Sequence, residues 1–214
     1  MKIFRHMRST YEGTKYLVEG FQQSARGNRL LIEGMKTAQE LPAHLSIQIQ
    51  PTRFGLGGFR IYLISEDADI KDGPLGEVSA SRPMPSDYGK ALDAYEVTSS
   101  GAPDGWGPLL YDIAMEVAAE NGSGIMSDRK SVSYSARGIW EYYRDSRDDV
   151  EYVQLDNMQN QLTPQDGDNA LQHSARRASI DWVDSELSKM YRTRLGATPT
   201  LDFLRQAGKL DDWR

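Results

Sequence analysis

Val97-Thr98-Ser99-Ser100-Gly101-Ala102-Pro103-Asp104-Gly105-Trp106-Gly107-Pro108-Leu109-Leu110-Tyr111-Asp112 is the stretch that decides the fold, because it carries an extended segment through a glycine-rich turn straight into a helix. Asp93 to Thr98 alternates polar and apolar side chains as a strand does, while Leu109, Leu110, Ile113, Ala114, Val117 and Ala118 recur at helical spacing. The chain must turn between the two. Gly105 and Gly107 lack the Cβ atoms that would keep an anion out of that turn, and the first N–H groups of the following helix supply donors and a positive dipole end. Pro108 suits an early helical position because it has no N–H to lose. The turn is therefore expected to cradle a phosphate.

Upstream of this stretch, Thr14 to Ser24 and Arg29 to Leu41 read as helices, the second closed by Pro42. Strand-like runs follow at Leu45–Ile49, Phe59–Ile64, Leu75–Arg82 and Leu92–Thr98, separated by Phe54-Gly55-Leu56-Gly57-Gly58, by Asp72-Gly73-Pro74 and by the turn signals of Pro83 to Gly89. These make an antiparallel meander. Downstream, the helix of Leu109 to Glu120 ends at Asn121-Gly122, a natural left-handed cap. Gly124–Ser127 reads as a strand, Ser131–Arg144 as a helix and Val150–Leu155 as a last strand. Asn157 to Asn169 is polar. Ala170 to Leu195 reads as one long amphipathic helix carrying Ile180, Trp182, Val183, Leu187, Met190 and Tyr191, and Gly196 ends it. Thr198-Pro199 opens a short helix whose Leu201, Phe203 and Leu204 pack back. The expected architecture is α/β (α+β): a mixed, mainly antiparallel sheet flanked by helices in residues 1–156, with a helical extension over 157–214.

The chain of 214 residues suffices for one sizeable core. With no cysteine, it has no disulfide, thiolate zinc site or Cys nucleophile, which fits a reducing compartment. His6, His44 and His173 are too scattered for metal-ligand spacing, and Asp67, Asp69 and Asp72 read as a hydrophilic loop, so no metal is expected. Met1 to Arg8 is basic but lacks the apolar run of a secretory signal, and no stretch approaches a membrane span. A net charge of −6 argues against nucleic acid as partner. The basic residues Arg176, Arg177, Lys189, Arg192 and Arg194 are interrupted by Asp181, Asp184 and Glu186, as on a solvated helix face. Gly55-Leu56-Gly57-Gly58 follows no strand long enough for a dinucleotide fold, and no Lys-Ser/Thr makes it a P-loop. No serine sits in a nucleophile elbow.

The order of elements together with the glycine turn resembles the GNAT superfamily of acyl-coenzyme A N-acyltransferases over about residues 1–155. In that family a strand ending in Val is followed eight residues later by the first Gly of Arg/Gln-x-x-Gly-x-Gly/Ala, whose amides hold the coenzyme A pyrophosphate. Val97, Gly105 and Gly107 match this spacing, and Ala102 stands where Arg or Gln is usual. Ser127 to Tyr143 is similar to the family's coenzyme-facing helix, Asn-x-x-Ala-x-x-x-Tyr, with Ser133, Ala136 and Trp140 at the three named positions. The phrases Gly-Trp-Gly-Pro-Leu-Leu-Tyr-Asp and Ser-Asp-Arg-x-x-Val-Ser-x-x-Ala-x-x-x-Trp look most like GNAT-like proteins encoded by bacteriophages.

The resemblance implies acetyl transfer from acetyl-CoA to a small-molecule or protein amine by direct attack. It also implies pairing of the Val97 and Ser99 backbone with the pantetheine amides, and coenzyme contacts from Ala102, Gly105, Trp106, Gly107, Ser133 and Trp140. Trp106 either covers the diphosphate or packs on the helix. Arg129 reaches a 3′-phosphate or pairs with Asp128 or Glu120. The family places a Glu on the strand, on the face of its Val; by period-two alternation Asp93, Tyr95 and Val97 share that face, making Asp93 the first candidate for base or amine anchor. A solvated strand-start carboxylate is its plainer reading, and Glu96, on the other face, is the second candidate. Trp140 occupies the position of the family's general-acid tyrosine, yet an indole N–H does not ionise usefully. Tyr142 or Tyr143 substitutes, or water does, or the site no longer catalyses; equally, these aromatics are core and rim. Asp112 is read as a first-turn partner of the helix dipole. The alternative function is a catalytically inactive GNAT-like structural or interaction protein, such as a phage virion component, docking through 157–214 on a second copy or an assembly partner. The expected setting is cytoplasmic, or virion-associated for a phage protein.

Overall fold

The computed structural model describes residues 34–52, 57–67, 73–82, 94–103, 105–121, 123–128, 131–155 and 184–212. The expected helix Thr14–Ser24, the turn Pro83–Gly89, Asp93, Gly122, Arg129 and residues 157–183 lie outside the described residues.

Alternation shapes the first strands. β1 (Leu45–Pro51) turns Leu45, Ile47 and Ile49 inward, β2 (Gly58–Ser65) Phe59, Ile61 and Leu63, and β3 (Gly76–Ser81) Val78 and Ala80. β4 (Ala94–Gly101) adds Tyr95 and Val97. The Leu, Ile, Phe and Val side chains among these each contribute about 1.5–3 kcal/mol on full burial. They lie beneath α1 (Gly107–Glu120), which buries every residue from Pro108 to Ala118 except Asp112. A helix apolar on nearly all sides must be enclosed on nearly all sides. α1 touches β2, β3, β4, β5 (Gly124–Ser127), β7 (Lys189–Thr193) and the C-terminal helix α3 (Pro199–Gln206). α2 (Tyr134–Ser146) leads into β6 (Val150–Gln154), and β8 (Leu210–Asp211) follows α3.

Among the described residues eight strands form one sheet in the order β6-β7-β5-β4-β3-β2-β1-β8, and of its pairs only β4 with β5 and β1 with β8 run parallel. The protein is thus α+β, a mostly antiparallel sheet flanked by helices with a C-terminal helix, and Leu201 and Leu204 of that helix are fully buried. No helix among the described residues is long and apolar enough to cross a membrane.

Two expectations are corrected. The helix expected to reach Leu41 is reduced, in its described part, to a single 3-10 turn at Ala38–Glu40. Before it the chain crosses the glycine turn, and Lys36 N–H donates to the Gly105 carbonyl at 3.0 Å rather than to a helical neighbour. The helix expected over Ala170–Leu195 is, from residue 186 on, a 3-10 turn at Glu186–Ser188 followed by β7. β7 is not an appendage: it lies between β5 and β6, with Met190 buried toward one face and Tyr191 toward the other. Tertiary pairing has overridden a local period that both helix and short strand satisfy. Within the described part of the expected tail, 184–212, β7 and β8 are strands of the sheet and α3 packs on α1.

Candidate functional site

β4 and β5 pair in parallel from Ala94↔Gly124 to Val97↔Ser127, where β5 ends. β4 continues to Gly101 with β3 alone beside it. The β3–β4 register slips here, since Ala80 faces Val97 and Ser79 faces Ser99, leaving Thr98 as the extra residue of a bulge. A bulge sharpens the local twist and bends its strand. The pairing with β5 stops at Val97, and beyond it Thr98 to Gly101 have, among the described residues, no strand on that side, which leaves a gap next to β4. Val97 is the last residue in register with β5, and Ser99 lies on the open edge, its hydroxyl donating to Glu77 Oε1 at 3.5 Å.

The glycine turn forms one wall of this gap. Trp106 N–H donates to the Pro103 carbonyl at 3.1 Å, and Leu110 N–H to Trp106 at 3.2 Å opens the helical ladder. The N–H groups of Gly107 and Leu109 thus stand at the helix end without an intrahelical acceptor. Gly105, at φ +90°, does not leave room for an anion as expected: a Cβ there would meet the Gly34 carbonyl oxygen at 2.4 Å. Its glycine serves the left-handed turn and the crossing of residues 34–36. At Gly107 the space is open, the nearest atom to an added Cβ being Ile139 Cδ1 at 4.0 Å. Trp106 packs into the core, with the Lys36 ammonium 4.8 Å from its ring centre. Ala102 lies against Gly76. Lys36 is therefore a residue the sequence reading missed: it brings a positive charge to the turn from a distant segment.

Past the end of β5 stand Asp128, whose carboxylate accepts the Ser131 N–H at 2.8 Å, and Ser133, whose hydroxyl caps α2 by accepting from Ala136 N–H at 3.2 Å. Ser133 thus acts as a helix cap. Trp140 is enclosed in the core. It is 1% exposed, stacked on Tyr191 at 5.4 Å and edge-on to Tyr111 at 5.3 Å.

Tyr143 is also 1% exposed and donates to Asp112 Oδ1 at 2.6 Å; burial, then the Asp112 charge, push its phenol well above the ordinary range. Arg147 donates to both oxygens of Asp112 at 3.0 and 3.1 Å. Asp112 thus lies beyond the first helical turn, in a network joining α1 to the end of α2, and burial raises its carboxyl despite Arg147. Tyr142 is half-buried near Arg147. Tyr142 and Tyr143 stand nine and ten residues beyond Ser133, about 14 Å along the helix at 1.5 Å per residue, so the structure does not bring them to the gap. Glu96 is half-buried on the face opposite Tyr95 and Val97, in register with Ser81 and Met126.

One phenol does reach the gap. Tyr111, 3% exposed, sends its hydroxyl to within 3.0 Å of Ser100 Oγ on the open part of β4. Burial, and less so the charge of Asp128, push it up to about 12, against the opposing effect of the Ser100 hydrogen bond. Neither residue stands out in the sequence, since Tyr111 fits the apolar period of α1 and Ser100 is one of three hydroxyl residues in a row. A separate open cavity of about 410 Å³ lies at the C-terminal end of α2, where Arg144 is held by Asp145 and by the Asp184 carbonyl. Comparison of the chain with models of protein families, with curated proteins and with solved structures finds no match.

Proposed function

We propose that the chain is an acyl-coenzyme A-dependent N-acyltransferase of the GNAT type, with the gap next to β4, where its pairing with β5 stops, as its site. The observation that carries this reading is that β4 outruns its parallel neighbour just before entering a glycine turn and a helix N-terminus. An open strand edge pairs with an amide-bearing chain as it would with a strand, which is what the pantetheine arm of coenzyme A offers. The helix end favours a diphosphate, and Lys36 adds a cation beside it. The residues fit the group in part: the Gly34 crossing confines the cradle to the Gly107 and Leu109 end of the turn. In this reading a neutral amine attacks the thioester directly, with Asp93 or Glu96 as the carboxylate that anchors or deprotonates it.

The test is a thermal shift. At about a hundred times its dissociation constant, acetyl-CoA should stabilise the fold by roughly 2.7 kcal/mol, raising the melting temperature by roughly 5–10 °C for a chain of this size. A melting temperature that does not move overturns the proposal. The burial of Trp140 and the commitment of Tyr143 to Asp112 favour a second reading, a GNAT-like scaffold that binds without transferring and serves an assembly such as a virion. Coenzyme A binding with no thiol release across polyamines, amino acids and lysine peptides supports that reading.

A further inference from the structure

Lys189 opens β7 in register with Gln154 of β6, and two residues along β6, on the same face of the sheet, stands Tyr152. With Arg144 and Asp145 from the end of α2, and with Asp184, Lys189 and Tyr152 line the open cavity of about 410 Å³. Lys189 is 5% exposed although it lines that cavity, whereas Tyr152 is 51% exposed and gives it a flat apolar wall. The Lys189 ammonium lies 5.3 Å from the Tyr152 ring centre and donates to Gln154 Oε1, an uncharged amide. Burial, and then the charge of Arg144, lower it below the ordinary lysine value, against the opposing charges of Asp184 and Glu186. Arg144 directs its own hydrogen bonds to Asp145, to the Asp184 carbonyl and to Glu186, so its fork is not turned to a ligand. The carboxylates of Asp145 and Asp184 balance the two cations around the cavity, which favours a neutral compound over a charged one. An amine desolvated beside a second cation keeps a larger uncharged fraction near neutrality, and the uncharged amine is a nucleophile.

We infer that Lys189 is a nucleophilic amine and that this cavity takes neutral aldehydes or ketones bearing a flat ring, which Lys189 binds as an imine. The amine nitrogen attacks the carbonyl carbon, the π pair moves to the carbonyl oxygen, and that oxygen takes one proton from nitrogen. The resulting hydroxyl leaves with the second nitrogen proton as water while the C=N bond forms. Water reverses both steps. Tyr152 stacks on the ring of the bound compound. None of the residues lining the cavity belongs to the gap next to β4, so this site does not depend on the acyltransferase reading.

The experiment exposes the full chain to timed pulses of benzaldehyde from about pH 6 to about pH 10, fixes each imine as a secondary amine with borohydride, and locates the adducts by peptide mass spectrometry. The exposed Lys36 serves as the reference within the same chain. Lys189 should reach half of its maximal labelling about one pH unit or more below Lys36, and near neutrality should be labelled roughly tenfold more completely. Tyr152→Ala should cut labelling of Lys189 by benzaldehyde about threefold to tenfold while leaving its labelling by acetaldehyde unchanged. Lys189 that stays unlabelled, or is labelled at no lower pH than Lys36, overturns the proposal. An equal effect of Tyr152→Ala on both aldehydes, or no effect on either, overturns the part given to the ring. The adduct map is read on the wild-type chain, so the first result stands whether or not the variant folds.

Discussion

A methyl group added at Gly105 has nowhere to go, because the Gly34 carbonyl oxygen stands 2.4 Å from its place and the backbone holds φ at +90°. Gly105→Ala should therefore cost about 1–3 kcal/mol, a drop of roughly 3–10 °C in melting temperature. Gly107 begins a helix and has open space around it, so Gly107→Ala should be neutral or stabilising by up to about 1 kcal/mol. Calorimetry on the two variants checks this contrast; equal losses would mean that both glycines answer to packing. In the sequence the two look alike, because the crossing that separates them comes from a remote segment. Ser133 and Trp140 were legible as positions on α2 but not as a cap and a core residue. The direction in which a helical side chain points depends on what the helix packs against.

At the scale of elements, α1 binds its neighbours by buried charge as well as apolar surface. Glu116, 3% exposed, accepts the N–H groups of Thr200 at 3.0 Å and Leu201 at 2.7 Å, and so closes the first turn of α3. Burial raises its carboxyl from 4.5 to about 7 despite these bonds. The folded chain thus keeps a proton that the unfolded chain releases. This contribution to stability is complete below pH 4.5 and is lost as pH rises through about 7. Across that window wild type should lose up to about 3 kcal/mol relative to Glu116→Gln, measurable by urea unfolding at several pH values. A constant difference between the two proteins would remove Glu116 as the source. The meander strands alternate and α1 and α2 are long, while β5 and β6 are short runs set between turn signals, so all were legible within a few residues. β7 was not, because its five residues, Lys-Met-Tyr-Arg-Thr, are too few to separate a strand from the helical period around them.

For the whole molecule, the place of β7 changes what truncation means. Cutting after Leu155 removes the strand between β5 and β6, together with α3 and the short parallel strand on β1. It also takes from Arg137 and Arg144 their shared buried partner Glu186, 2% exposed, leaving them Glu141 and Asp145. Residues 1–155 alone should give no cooperative thermal transition and no near-ultraviolet circular dichroism from the Trp140 cluster, rather than a folded domain freed of a docking tail. A soluble, cooperatively melting fragment would contradict this.

The amino-acid sequence by itself determined the meander, the strand-turn-helix at Val97–Asp112 and the α+β class, because alternation, helical period and turn chemistry act between near neighbours. Tertiary structure decided the rest. The crossing of residues 34–36 over Gly105, the insertion of β7, the burial of Trp140 and the meeting of Tyr111 with Ser100 all join distant segments or different elements. Their energies come from desolvation and close packing, which exist only once the sheet and α1 are assembled. The glycine turn takes its shape from what the rest of the chain brings to it: the crossing at Gly34 and the Lys36 ammonium over Trp106.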